Sequence, residues 1–258
     1  MSRGIDVSTH NGFIDWSEME YKIDFAIIRA GYSCTADEKA DRNFKGCNTY
    51  GIPAGAYWFS YATTVDEAKR EAVCCCDLLK RHKIELPIAY DFEYDSVAYA
   101  RKKGVTVSAE LMCDMAEAFL EVVKTRGYEP MLYTNVDFLN RGFDRIAHKY
   151  KLWLAHWGVD KPSRHCYLWQ YTDKLSLSNI PGVFDGNELQ EDIKTKPSSD
   201  LTPDLKTNFL TAFVNEYYKI AKEIIDGKWG NGKERKEKLN AAGYDYQTAQ
   251  AMVNELLK

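Results

Sequence analysis

The sequence predicts an α/β fold: a mainly parallel strand barrel wrapped by helices, with a small all-helical bundle behind it. Three observations carry this. Up to about residue 195, short apolar runs alternate with helical periodicity. Several of those runs are almost continuously apolar, as strands covered on both faces are. Past a break rich in Pro, Ser and Thr, only helical periodicity remains. Parallel strands need crossover helices, so strand–helix alternation with short links points to a parallel sheet. Eight strands in this span favour a closed barrel over an open sheet.

The strands, in order, are Gly4–Val7, Phe25–Ala30, Ala54–Tyr61, Pro87–Phe92, Pro130–Thr134, Leu152–His156, Cys166–Tyr171 and Val183–Asp185. Helical patterns fill the gaps. Val65–His82 carries Ala68, Ala72, Cys75, Leu78 and Leu79 on one side. Thr106–Arg126 carries Leu111, Met115, Ala118, Phe119 and Val122, with Gly127 as its C-cap. After Pro130 the strands follow one another with little helix, so the barrel is expected to be irregular there. Residues 1–195 therefore form the barrel and 196–205 a linker, within the stretch K-T-K-P-S-S-D-L-T-P. Residues 206–258 form the bundle. Phe209, Phe213, Tyr217, Ile220 and Ile224 share one helix face, which Asp226-Gly227 ends. Asn231–Ala242 is a short charged helix ending at Gly243. Asp245 N-caps a third helix carrying Ala249, Met252, Val253, Leu256 and Leu257.

Composition narrows the function. Apolar residues make up 45% and charged residues 28%, which suits a globular chain with a full core. A net charge of -4 offers no case for nucleic acid, which needs a basic patch to displace counterions. Charges interrupt the N-terminal stretch before an apolar signal-peptide core could form, and no run approaches the ~20 apolar residues of a membrane span. The expectation is a protein made in the cytoplasm without a signal peptide and without membrane insertion. The seven cysteines include three in a row and no C-x-x-C pair, so they read as reduced thiols packed as small apolar residues, implying a reducing compartment. The five histidines lack H-x-x-x-H or H-E-x-x-H spacing, so neither a metal nor a cofactor is expected.

The chemistry-bearing feature is Asp91-Phe92-Glu93, closing P-I-A-Y-D-F-E. On a strand, residues i and i+2 share a face, so both carboxylates project together. Barrel enzymes keep catalytic groups at the C-terminal ends of strands. Repulsion and burial raise one pKa of such a pair, giving a protonated acid beside a charged partner. Glycosidic cleavage requires that combination. Carboxylates that cap a turn or pair with Lys or Arg are the plainer reading of a bare D-x-E. Asp6 ends the first strand and Asp185 the last, and in a closed barrel those strands are neighbours. Four acids would then converge on one mouth.

The stretches G-I-D-V-S-T-H-N-G, A-I-I-R-A-G-Y, I-P-A-G-A-Y-W-F-S-Y, P-I-A-Y-D-F-E, M-L-Y-T-N, L-W-L-A-H-W and L-W-Q-Y-T-D, followed by F-D-G-N, resemble the glycoside hydrolase family 25 lysozymes. The resemblance runs in order through residues 4–193. It implies an irregular TIM-like (β/α)5β3 barrel and a peptidoglycan muramidase, of a kind common as phage endolysins, cutting between N-acetylmuramic acid and N-acetylglucosamine. It implies Glu93 as general acid/base, Asp91 as the carboxylate assisting at the anomeric centre, and Asp6 and Asp185 as supporting acids. Tyr90 stands where an aliphatic residue is more usual, and His10-Asn11 where Gln commonly follows His or Tyr. Tyr57, Tyr61 and Tyr133 are candidates to line the sugar cleft or to bond the acids; barrel packing explains each as well.

The tail, from I-A-K-E-I-I-D-G-K-W-G-N-G through to Leu257, resembles the CW_7 repeat of phage lysins. That resemblance implies a three-helix module binding bacterial peptidoglycan without choline, with Trp229 and Arg235 as candidate contacts. Bundle packing for Trp229 and a solvated helix face for Arg235 are the plainer alternatives. A single copy is compatible with weak binding or with a homo-oligomer formed through the module. Two other functions fit the same residues: a non-catalytic wall-binding lectin, and a wall amidase with a similar tail.

Overall fold

A computed structural model of the chain describes residues 2–190, 217–242, 244 and 246–257. Its strands and helices run in the order β1 (Arg3–Val7), β2 (Phe25–Tyr32), β3 (Thr35–Ala36), α1 (Ala40–Thr49), β4 (Ala54–Phe59), α2 (Val65–Leu79), β5 (Ile88–Asp91), α3 (Tyr94–Lys102), α4 (Ala109–Thr125), β6 (Pro130–Asn135), α5 (Val136–Arg141), β7 (Lys151–Ala155), β8 (Leu168–Leu175) and β9 (Phe184–Leu189). Three tail helices complete the chain: α6 (217–225), α7 (Gly232–Ala241) and α8 (Tyr246–Leu256). Side chains start several helices where the sequence offers a cap. Thr64 accepts from Glu67 N, Ser108 from Leu111 N and Asn135 from Phe138 N. Gly127, at φ 86°, takes up the left-handed turn after α4. Among the described residues no helix is long and apolar enough to cross a membrane.

Eight strands close into a ring, β1-β2-β4-β5-β6-β7-β8-β9 and back to β1, with the two-residue β3 added outside β2. From β1 through β8, neighbours in the ring run parallel; β9 is antiparallel to both β8 and β1. Helices separate β2, β4, β5 and β6, whereas β7, β8 and β9 succeed one another without any. The expected irregular (β/α)5β3 barrel is therefore the fold.

The direction of β9 corrects one expectation. Asp185 does not end its strand; it lies one residue after the strand begins. Because β9 runs against its neighbours, its start is at the barrel end where β1 finishes, and Asp185 pairs directly with Asp6. Glu93 also sits outside the strand. β5 ends at Asp91, and Glu93 is the N-cap residue of α3.

Strand parity sorts the side chains into two layers. Phe25, Ile27, Ala89, Met131, Tyr133, Trp153, Ala155, Leu168 and Leu189 pack together inside the ring. Ile5, Val7, Ala26, Ile28, Tyr90, Leu132 and Leu154 pack outward against the helices. Asp6, Arg29, Asp91, Gln170, Asp185 and Asn187 share the parity of the inner set.

The cysteines correct the reduced-thiol reading. Cys34, in the turn between β2 and β3, and Cys74, on α2, form a disulfide, with Cα atoms 5.6 Å apart. Cys47, Cys75, Cys76, Cys113 and Cys166 are free and buried, as that reading expects. Consecutive helix residues point about 100° apart, so only one of the three adjacent cysteines can face the turn. The pairing depends on a crossover that sets α2 over a turn 40 residues earlier, which spacing alone does not reveal.

The chain divides into two compact units, Met1–Ser198 and Ser199–Lys258. The second has its own core of Tyr217, Ile220, Ala221, Ile224, Leu239, Ala249 and Val253, with Met252 and Leu256 packed beside it. Leu257, expected on that apolar stripe, is 67% exposed because it lies past the last turn of α8. The predicted linker, Phe209, Phe213, Gly243 and the Asp245 cap fall outside the described residues.

A disulfide closing a loop of this length contributes ~2–4 kcal/mol. Replacing Cys34 and Cys74 together by Ser is expected to lower unfolding stability by that amount, read as the urea midpoint at constant slope. A reductant should shift the wild type and leave the double variant unmoved; a wild type indifferent to reductant would show that the bond is not formed.

Candidate active site

The inner-parity polar residues meet at the end of the barrel where the parallel strands finish. Asp6, near the end of β1, is 5% exposed. Its Oδ2 accepts from Gln170 Nε2 of β8 at 2.9 Å and from Asn187 Nδ2 of β9 at 2.7 Å. Both amides are themselves held. Trp153 Nε1 donates to Asn187 Oδ1 at 2.8 Å. The Tyr133 hydroxyl and Trp157 Nε1 donate to Gln170 Oε1 at 3.3 and 3.2 Å. With its carbonyl oxygen occupied, each amide can turn only its NH2 towards the acid.

Asp185 faces Asp6 across the strand pair, with the two carboxyls in hydrogen-bonding contact. Gly186 permits the close approach of β8: a Cβ there would stand 2.8 Å from the Tyr171 ring. Burial raises the Asp6 carboxyl well above its usual range, and the Asp185 charge raises it further, against the two amide donors. Burial raises Asp185 as well.

Asp91 and Glu93 make the second pair. Asp91, 3% exposed at the end of β5, lies opposite Phe59 of β4 and Tyr133 of β6. Glu93, half-buried, is fixed by the start of α3, where its N–H donates to Ser96 Oγ at 3.1 Å. The two carboxyls touch, and no other protein donor among the described residues reaches Asp91 Oδ1. Such a contact requires one proton between two oxygens. Burial raises Asp91 well above the carboxylate range, and the Glu93 charge adds to it. Burial also raises Glu93, helped by Asp95 and Asp185 and opposed by the contacts with Asp91 and the Tyr133 hydroxyl.

All four predicted acids line one open cleft of about 560 Å³, together with Tyr57, Tyr61 and Tyr133. Tyr57 and Tyr133 set ring edges against Trp153, with centroids 5.9 and 4.6 Å away. Burial pushes the Tyr57 phenol far above its ordinary value, so it stays a neutral donor. The other two predicted contacts lie in the helical unit. Trp229 donates to Glu223 Oε2 at 3.1 Å and meets Tyr244 edge-on. The Arg235 guanidinium bonds Gly230 O, Gln250 Oε1 and Asn231 Oδ1, so its fork is spent inside the bundle.

Sequence reasoning missed Arg29, Trp153, Trp157, Gln170 and Asn187, all of which line the cleft or hold its acids. Arg29 is aimed by a 2.8 Å ion pair with the buried Asp37. Parity could have found three of them. Arg29 stands two residues after Ile27, Gln170 two after Leu168 and Asn187 two after Asp185. A lone arginine inside A-I-I-R-A-G-Y was the available signal. Chemically, the cleft offers a shared proton at its wall, a second acid pair, oriented amides and flat rings. It can protonate a leaving oxygen and stabilise positive charge developing next to it.

Comparison with known proteins supplies context. The family model described as glycosyl hydrolases family 25 matches residues 5–180, and the CW_7 repeat model matches residues 219–257. The chain is 28% identical over 218 residues to a lysozyme of Streptococcus phage Cp-7, covering 79% of this chain and 56% of that one. Its fold is similar to the modular autolysin LytC of Streptococcus pneumoniae, with a TM-score of 0.62 and 27% identity over 72% of this chain and 46% of that one. A bacterial lysozyme from Streptomyces coelicolor shares the fold at a TM-score of 0.61 and 24% identity, over 74% of this chain and 93% of that one. The chain spans about half the length of the phage and pneumococcal relatives it matches.

The raised acids fix a pH dependence of stability. A carboxyl whose folded pKa exceeds its unfolded value stabilises the fold most below the unfolded pKa, about 4, and that contribution is lost as pH rises through the folded pKa. Asp91→Asn removes the charge without changing shape. It is expected to be more stable than wild type at pH 7, with the gain shrinking towards pH 4. Urea unfolding at both pH values checks this; a variant less stable at pH 7 would refute the direction.

Proposed function

Because the chain belongs to the glycosyl hydrolases of family 25, we propose that it is a peptidoglycan muramidase, hydrolysing the bond between N-acetylmuramic acid and N-acetylglucosamine. The observation that carries the reading is the open cleft in which Asp6, Asp91, Glu93 and Asp185 meet as two proton-sharing pairs. A sugar-binding lectin has no need for four raised acids, each of which costs stability near neutrality.

Glu93 is the proton donor, since it is the more accessible member of its pair and can reach a glycosidic oxygen in the cleft. Asp91, which burial makes the firmer holder of the shared proton in the empty cleft, passes that proton to Glu93 when substrate binds and then keeps the complementary charge. It orients the 2-acetamido group of the substrate to attack the anomeric carbon and stabilises the oxocarbenium-like centre. Once its proton has left, the Glu93 carboxylate can take one from the incoming water. Asp6, gripped by Gln170 and Asn187, and Asp185 in contact with it stiffen the opposite wall and add negative potential where positive charge develops. Tyr57, Tyr61 and Tyr133 present rings and hydroxyls to the sugars. The CW_7-like tail keeps the enzyme on the wall, where a glycan cutter of the endolysin type acts once released from the cytoplasm.

Glu93→Gln keeps the shape and removes the titrating group. Release of new reducing ends from purified peptidoglycan is expected to fall at least ~100-fold, while the far-UV spectrum and wall sedimentation stay as in wild type. Wild-type turnover by this variant, or products in which peptides are freed and the glycan stays whole by mass spectrometry, would overturn the assignment.

A further inference from the structure

The cleft does not end at the acids. Tyr61 lines both the cleft and a second hollow of about 340 Å³ alongside it, walled by α2, the start of the β2–β3 turn and the residues just past α3. Tyr99 forms its other ring wall, with its centroid 5.1 Å from that of Tyr61. Charges of both signs surround this aromatic wall: Glu67, Arg70 and Glu71 from α2, and Lys103 just past α3.

Glu71 is the unexplained group. It is 4% exposed, and its Oε1 accepts from Tyr61 N at 3.0 Å. The Ser60 side chain also contacts this carboxyl, but no hydrogen bond of good geometry reaches its buried Oε2 among the described residues. A buried acceptor left unmet costs ~1–3 kcal/mol, so native structures keep few without a use. Burial pushes this carboxyl up to about 7, and a cation beside it would favour the charged form. On the same helix, Arg70 comes only within 3.9 Å of Glu67 and is largely exposed. Lys103 stands over the Tyr99 ring, 5.5 Å from its centroid, with no ion pair among the described residues. The hollow is firmly built: the Cys34–Cys74 disulfide ties its turn to α2, and Trp58 Nε1 donates to Ser33 O at 3.0 Å.

A neutral sugar ring would satisfy the tyrosines and leave the charges unanswered. A ligand of one sign would meet repulsion from half of them. The matching chemistry is a group bearing an ammonium and a carboxylate on a short aliphatic body. A peptidoglycan strand carries such a group on the stem peptide of its muramic acid, beside the bond to be cut. We propose that this hollow is a stem-peptide subsite. The ammonium of the stem's diamino acid meets Glu71, the terminal carboxylate lies between Arg70 and Lys103, and the aliphatic chain lies along the wall made by the touching Tyr61 and Tyr99 rings. The inference rests on the muramidase reading and adds a specificity determinant to it.

The test compares kcat/KM on uncross-linked glycan strands carrying lysine-containing tetrapeptide stems with kcat/KM on the same strands stripped by an amidase. The wild type is expected to prefer stem-bearing strands about tenfold, the worth of one charge-assisted contact, chiefly through KM. Arg70→Ala combined with Lys103→Ala is expected to bring this ratio close to one, and Glu71→Gln to reduce it. A general loss of folding scales both substrates and leaves the ratio intact, so the exposed double variant decides even if Glu71→Gln folds poorly. A wild-type ratio of one, or a double variant that keeps the wild-type ratio, overturns the subsite alone. No new reducing ends from either substrate overturns the muramidase reading and the subsite with it.

Discussion

The site depends on one antiparallel contact, the pairing of Asp6 on β1 with Asp185 on β9. Like charges opposite each other on neighbouring strands oppose pairing. Here that cost is offset by two amide donors to Asp6 and by protons retained through burial. The same contact closes the ring, because β9 is the strand that joins β8 to β1. Closure and the convergence of the acids are therefore one structural event. The amides are in turn fixed by Trp153, Trp157 and Tyr133, so the wall of the cleft is a continuous hydrogen-bond chain, not a set of independent side chains.

The barrel divides its labour by parity. Side chains facing the helices are apolar and make the larger core. Those facing inward are apolar low in the ring and polar at the mouth, where Asp6, Arg29, Asp91 and Gln170 take over. Such a layout gives rigid positioning without filling the interior with charge, since the acids sit where water and substrate can reach them. Helix α2 serves twice. Its Ala68, Ala72, Cys75 and Leu79 bury against the core, while Glu71 and Cys74 support the turn region beside the cleft.

The helical unit is held differently. Its core is small, and polar contacts reinforce it: the Arg235 fork bonds the turn at Gly230 and Asn231 to Gln250 of α8. A small bundle needs such cross-ties because its few buried side chains leave little margin. An arginine committed in this way shapes the module more than it reaches outward, leaving the half-buried Trp229 as the better placed of the two candidate contacts.

Much of this was readable in the sequence, and for definite reasons. Apolar runs marked the ring strands up to β8, because a strand covered on both faces has to be apolar whatever its neighbours are; of β9, Phe184–Leu189, only the first two residues were expected as strand. Asp91-Phe92-Glu93, with Asp6 and Asp185, stood out because carboxylates are rare at the ends of such runs. What the sequence could not decide was direction and partnership. Nothing local tells β9 to run antiparallel, so Asp185 was expected at the wrong end of its strand. Nothing local tells Cys34 that Cys74 will lie above it, or Gln170 and Asn187 that both will turn towards Asp6. Those outcomes come from ring closure and from a helix laid across a turn, contacts between residues far apart in the chain. Periodicity records how each segment meets its surroundings; only the assembled barrel determines which surroundings those are.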